Sequence, residues 1–106
     1  MVARNVSIRL KANSFKDFTR TLENEVIPLL RKQKGFQDEI TLVASGGFEA
    51  IGISLWDLKE NAEAYSRGAY SEVQKALAKV VEGTPEVEVY EVSNSTFHKI
   101  AARVAA

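Results

Sequence analysis

The chain has 106 residues, enough for one domain around a single core. Its 14 Lys and Arg balance 14 Asp and Glu with no basic stripe, which argues against a nucleic-acid binder. Cysteine is absent, so disulfides, thiolate catalysis and thiolate metal sites are excluded. No apolar run approaches the roughly 20 residues that span a bilayer, and residues 1–7 lack the apolar stretch of a signal peptide, so a soluble cytoplasmic protein is expected.

Asn5 to Lys11 alternates, with Val6, Ile8 and Leu10 on the side expected to face helices and Asn5, Ser7, Arg9 and Lys11 on the other. Asn13 or Ser14 can cap a helix that carries Phe15, Phe18, Leu22, Val26, Leu29 and Leu30 at spacings of three and four. Pro28 lies inside it and predicts a kink or a helix in two pieces. Gly35 stops the helix. Phe36 to Ala44 reads as a second strand with an edge-like polar start, and Ser45-Gly46-Gly47 turns into a third.

That third strand ends at Trp56 and has two unlike faces. Glu49, Ile51, Ile53 and Leu55 form the face expected under the helices. Phe48, Ala50, Gly52, Ser54 and Trp56 form a shallow floor with an aromatic at each end, suited to a pocket or to a second sheet.

Asp57 can cap the next helical region, Lys59 to Glu82, where Gly68 suggests a break, Ser71 a second cap and Gly83 the end. Glu86 to Val92 alternates as a fourth strand. Ser93 to Ala106 either extends that strand or forms a short helix.

The order β-α-β-β-α-β over residues 1–106 predicts one α+β, ferredoxin-like domain. Right-handed crossovers then give an antiparallel sheet of order 4-1-3-2 with both helices on one face. The uncovered face is expected to carry Phe48, Trp56, Tyr90 and Val92, more apolar surface than a soluble monomer exposes, which predicts a homodimer through that face.

Three segments resemble the antibiotic biosynthesis monooxygenase-like family of the dimeric α/β-barrel superfamily. They are Lys32-Gln33-Lys34-Gly35-Phe36, the run Ile53-Ser54-Leu55-Trp56-Asp57-Leu58-Lys59-Glu60-Asn61-Ala62 through Tyr65, and Glu88-Val89-Tyr90-Glu91-Val92. The resemblance implies a dimer with one pocket per subunit between sheet and helices. It also implies the chemistry of those members that oxidise phenolic polycycles with molecular oxygen, with no metal or other cofactor expected. By the same resemblance Trp56 matches a family tryptophan at the end of strand three, and Asn5 an asparagine on strand one. A related haem-degrading branch carries a histidine on its second helix; here Ser71 to Val81 has none, and His98 in the tail is the sole histidine.

The candidate catalytic residues are therefore Asn5, Trp56 and His98, the last as a base that titrates near neutral pH. Trp56 reads equally as core or interface packing. Candidate substrate contacts are Arg9 through its guanidinium fork, Phe48 and Ser54 on the floor, and the hydroxyls of Tyr65 and Tyr70 on the helix. Asp38 and Glu39 are adjacent, point to opposite faces and form no acid pair. The expected partners are a second copy of the chain and a small hydrophobic molecule, with no nucleic acid and no membrane. The alternative is a dimer of the same fold that binds a small ligand without turnover.

Overall fold

Residues 1–100 are described in a computed structural model of the protein. The elements are β1 (Val2–Leu10), α1 (Phe15–Thr21), α2 (Ile27–Arg31), β2 (Phe36–Val43), β3 (Glu49–Trp56), α3 (Lys59–Arg67), α4 (Tyr70–Leu77) and β4 (Val81–Glu91). The sheet runs β2-β3-β1-β4, the expected 4-1-3-2 read from its other edge, and every pairing is antiparallel. The helices cover one face, where Val26, Leu30, Trp56, Ala62, Tyr65 and Val73 make one buried cluster and Leu10, Phe18, Ala50 and Val80 another.

Pro28 splits the first helical region by a specific device. Proline has no N–H for the carbonyl one turn back. The chain widens into a π-helical turn, Leu22–Val26, in which the Ile27 N–H reaches the Leu22 carbonyl five residues earlier. This turn places both Leu22 and Val26 on the wall of the interior cavity described below.

Gly35 is required twice over. Its φ of 82° lies in the left-handed region, and a Cβ there would sit 2.2 Å from Asp57 Oδ1. That carboxylate accepts the Leu58 N–H at 2.6 Å and the Asn61 side-chain amide at 2.8 Å, so Asp57 fastens the start of α3 although Leu58 occupies the capping position itself. Ser14 and Ser71 make no capping side-chain bond; the Ser71 hydroxyl donates to the Gly68 carbonyl instead.

Three sequence expectations are corrected. First, the faces of β3 are reversed. Its register with β1 pairs Trp56 with Val2, Ser54 with Arg4 and Ala50 with Ile8, all on the helix side, and Trp56 has no exposed surface. The indole stacks on Tyr65 (centroids 4.9 Å apart) and meets Phe36 edge-on at 5.7 Å. Burying this large ring against two others outweighs burying Ile51 and Ile53. Second, the second helical region ends at Leu77, and β4 begins at Val81 because Val81 and Glu82 pair with Leu10 and Arg9 at the end of β1. Gly83, with φ of 76°, therefore sits in a strand irregularity and does not end a helix. Third, Ser93 to Ile100 adopts neither strand nor helix; a His98 ring nitrogen contacts the Asp38 carboxylate on β2. Residues 101–106 of the tail lie outside the described residues.

The uncovered face is apolar, as expected, but its members differ. Ile40 (55% exposed), Leu42, Ile51 and Tyr90 populate it, Trp56 does not, and Phe48 is exposed in the β2–β3 turn. Among the described residues no helix is long and apolar enough to cross a membrane.

Candidate functional site

Between the helices and the sheet lies a cavity of about 360 Å³, within the usual range for small-molecule sites. Strand register builds its floor in rows. Arg4, Ser54 and Glu39 form one row across β1, β3 and β2; Val6, Gly52 and Thr41 form the next. Gly52 is the low point: a Cβ built there would meet no atom within 4 Å. Leu22, Val26 and Val73 supply apolar wall, and Tyr65, Tyr70 and Gln74 project from α3 and α4.

Arg4 is the unexpected member. It is 3% exposed, and its guanidinium carbon lies 4.0 Å from the Tyr70 ring centroid and 5.1 Å from that of Tyr65. Its Nε donates to Ser66 Oγ at 2.8 Å. Its two terminal nitrogens make no hydrogen bond or ion pair among the described residues. They are not among the sealed, unpartnered polar atoms either, and Arg4 is one of the residues that line the cavity.

Glu39 stands at the far end of the same row, two strand spacings or roughly 10 Å across the sheet. The Thr41 hydroxyl donates to its carboxylate at 2.8 Å. Burial raises the Glu39 pKa above the ordinary 4.5, and the Thr41 hydrogen bond offsets part of that. Tyr65 is pushed up to about 12, chiefly by burial and partly against the pull of Arg4, so its hydroxyl stays protonated at neutral pH.

The Glu39 shift has a consequence for stability. The folded state holds this proton more tightly than the unfolded chain, so the penalty for ionising it is absent below the unfolded value of 4.5 and grows as pH rises through the raised folded value. Glu39→Gln is expected to match the parent at about pH 4 and to exceed it in urea unfolding at about pH 7. A variant less stable than the parent at neutral pH contradicts this.

Of the residues anticipated from sequence, Ser54, Tyr65 and Tyr70 border the cavity. Trp56 stands one layer behind, its Nε1 donating to Ser54 Oγ at 2.8 Å. Asn5 and Arg9 project from the other face of β1, where Arg9 lies 3.7 Å from Glu49 across the strand pair. Phe48 and His98 do not border the cavity. Asp38 and Glu39 do point to opposite faces, Asp38 toward His98 and Glu39 into the cavity. Arg4 and Glu39 were missed. Arg4 was findable, because it keeps phase with Val6, Ile8 and Leu10; extending the strand back to Val2 puts it on the buried side. The phase of Glu39 is hidden by the bulge between Phe36 and Asp38, which swaps the faces of β2.

No protein-family model matches the chain, and no curated protein matches it. Solved structures do. A Bordetella bronchiseptica protein named after antibiotic biosynthesis monooxygenases superposes with a TM-score of 0.75 at 14% identity, over 88% of this chain and 97% of that one. The Streptomyces coelicolor monooxygenase of ActVA-Orf6, solved with nanaomycin D, gives 0.70 at 15% identity, over 92% of each chain. A substituted MhuD holding two manganese protoporphyrin IX molecules per active site gives 0.74 at 15% identity, over 91% of this chain and 98% of that one. At these identities the likeness establishes the fold alone: a ferredoxin-like α+β domain, the fold that these solved structures share.

Among the described residues no histidine, cysteine or methionine borders the cavity, so of the usual axial haem ligands it offers only the hydroxyls of Tyr65, which burial holds protonated, and Tyr70. His98 is engaged with Asp38 away from the cavity. Among the described residues no cluster of three or more His, Cys, Asp or Glu could hold a metal ion.

Proposed function

We propose that the protein is a cofactor-independent monooxygenase that takes a hydroxylated aromatic of two or three fused rings into this cavity. The observation that carries the reading is the cavity itself: a largely apolar slot of about 360 Å³ whose two charged groups, Arg4 and Glu39, stand at opposite ends of one row of its floor. The apolar walls exclude water and orient a flat ring. Glu39, less acidic than an ordinary carboxylate, is placed to take the proton of a ring hydroxyl. The resulting oxyanion gives its electrons to molecular oxygen.

The balance needs no further reductant. A ring C–H beside or opposite the hydroxyl becomes C=O, one oxygen atom enters the product quinone and the other leaves as water with the two displaced hydrogens. All four electrons taken up by oxygen leave the substrate. The Streptomyces coelicolor relative solved with nanaomycin D supports a small-molecule pocket in this fold.

The same reading makes the working unit a homodimer joined through the open sheet face. Ile40, Leu42 and Ile51 are exposed there, and the buried amide oxygen of Asn5 has no hydrogen-bond partner among the described residues. A second copy would cover the patch. Light scattering at micromolar concentration is expected to give twice the chain mass, and Ile51→Glu the mass of one chain. A parent protein of one chain mass rejects the dimer.

The function is tested with an oxygen electrode and a panel of dihydroxynaphthalenes and hydroxyanthracenes. Enzyme-dependent oxygen uptake with quinone formation is expected, reduced at least tenfold in Glu39→Gln. Saturable binding without uptake across the panel would replace the oxygenase with a binding protein.

A further inference from the structure

We infer that Arg4 is the seat of a carboxylate on the ligand, so that the molecule taken up is an aromatic acid. The inference rests on the cavity being a ligand site, as proposed above, and adds a chemical class to it. A guanidinium stays protonated at every accessible pH. Burying one without a counter-ion is costly unless something else meets the charge. Here the Tyr70 face and the Ser66 hydroxyl meet part of it and fix its direction, since Nε donates to Ser66 and the guanidinium carbon lies over the Tyr70 ring. The two terminal nitrogens are left facing the cavity.

Two parallel N–H groups match the two oxygens of a carboxylate in one plane. The anion that shares the cavity with Arg4 is Glu39. Its carboxylate accepts the Thr41 hydroxyl and lies at the other end of the row, with Ser54 between. An acid seated on Arg4 extends its ring over Ser54 and Gly52 toward Thr41 and Glu39. The oxidisable hydroxyl would therefore sit at the end of the ring system away from the acid group.

Calorimetric titration with 2-naphthoate and with 2-naphthamide, its uncharged isostere, tests this without any substrate turnover. The parent protein is expected to bind the acid about 10- to 100-fold more tightly, the range of a charge-assisted hydrogen bond. The preference should persist at high salt, because a buried pair is poorly screened. Arg4→Gln should bind both ligands alike, at the affinity of the amide. Ser66→Ala, which frees the fork while leaving the charge, should lose part of the preference and gives a second variant if Arg4→Gln folds poorly.

Equal affinities in the parent overturn the carboxylate seat and leave the cavity reading standing, as does a preference that survives in Arg4→Gln. A preference absent from the parent but present in Glu39→Gln also overturns it, by showing that Glu39 is the partner of Arg4 in solution. Binding of neither ligand counts against the cavity reading and takes the seat with it.

Discussion

Gly52→Leu will fold, melt about 2–8 °C above the parent, and lose aromatic ligand binding and oxygen uptake together. The position has no neighbour within 4 Å of a side chain's first carbon, and its backbone lies outside the left-handed region, so a Cβ there meets neither clash nor strain and the rest of the side chain extends into the cavity. Glycine inside a strand costs about 0.5–1 kcal/mol against a residue with a side chain. For a domain near 100 residues each kcal/mol moves Tm by about 4–8 °C. The leucine fills the middle of the floor between Val6 and Thr41, where a flat ring would lie. A loss of at least 100-fold in affinity is expected, because the ring must then leave the slot. Circular dichroism melting and the same titrations check both halves. A variant that is destabilised, or one that still binds, contradicts the cavity as drawn.

Trp56→Ala will cost about 3–5 kcal/mol, the usual range for emptying a fully buried aromatic site. Total stability of such domains is about 5–15 kcal/mol, so much of the protein will be lost to unfolding or aggregation. The indole is sealed, stacked on Tyr65, crossed by Phe36 and hydrogen-bonded to Ser54. Trp56→Phe keeps most of the packing and leaves the Ser54 oxygen without its donor, at about 1–3 kcal/mol. Urea unfolding separates the two. If Trp56→Ala unfolds at the parent's midpoint and loses only activity, the residue belongs to substrate contact and not to packing.

Trp56 also shows why the fold was legible and the site was not. Strand and helix periods, two turn glycines and Pro28 specify the element order and, through right-handed crossovers, the sheet order. Which face of β3 goes inward is a different question. Both faces are apolar enough to be buried, and hydrophobicity alone favoured Ile51 and Ile53. The decision rests on ring packing between Trp56, Tyr65 and Phe36, which come from three separate elements. Once that face turns inward, Gly52 and Ser54 become the cavity floor; Asn5 and Arg9 fall on the opposite face of the sheet.

Arg4 was hidden by its charge. A cation at the start of a strand normally marks a solvated end. Here the strand begins two residues earlier and carries Arg4 onto the same side as Val2 and Val6. Glu39 was hidden by a bulge that only pairing with β3 reveals. Glu39 thus reaches the cavity through register, which no local pattern encodes, whereas Arg4 follows the alternation of β1 once the strand is extended to Val2.

The most direct measurement is a nitrogen-15 NMR titration of the protein with 2-naphthoate. Amide shifts are expected to cluster at Val6, Thr41, Gly52, Ser54 and Tyr70 around the cavity. Shifts gathered instead at Ile40, Ile51 and Tyr90 would place the ligand on the open sheet face and remove the basis for the proposed chemistry.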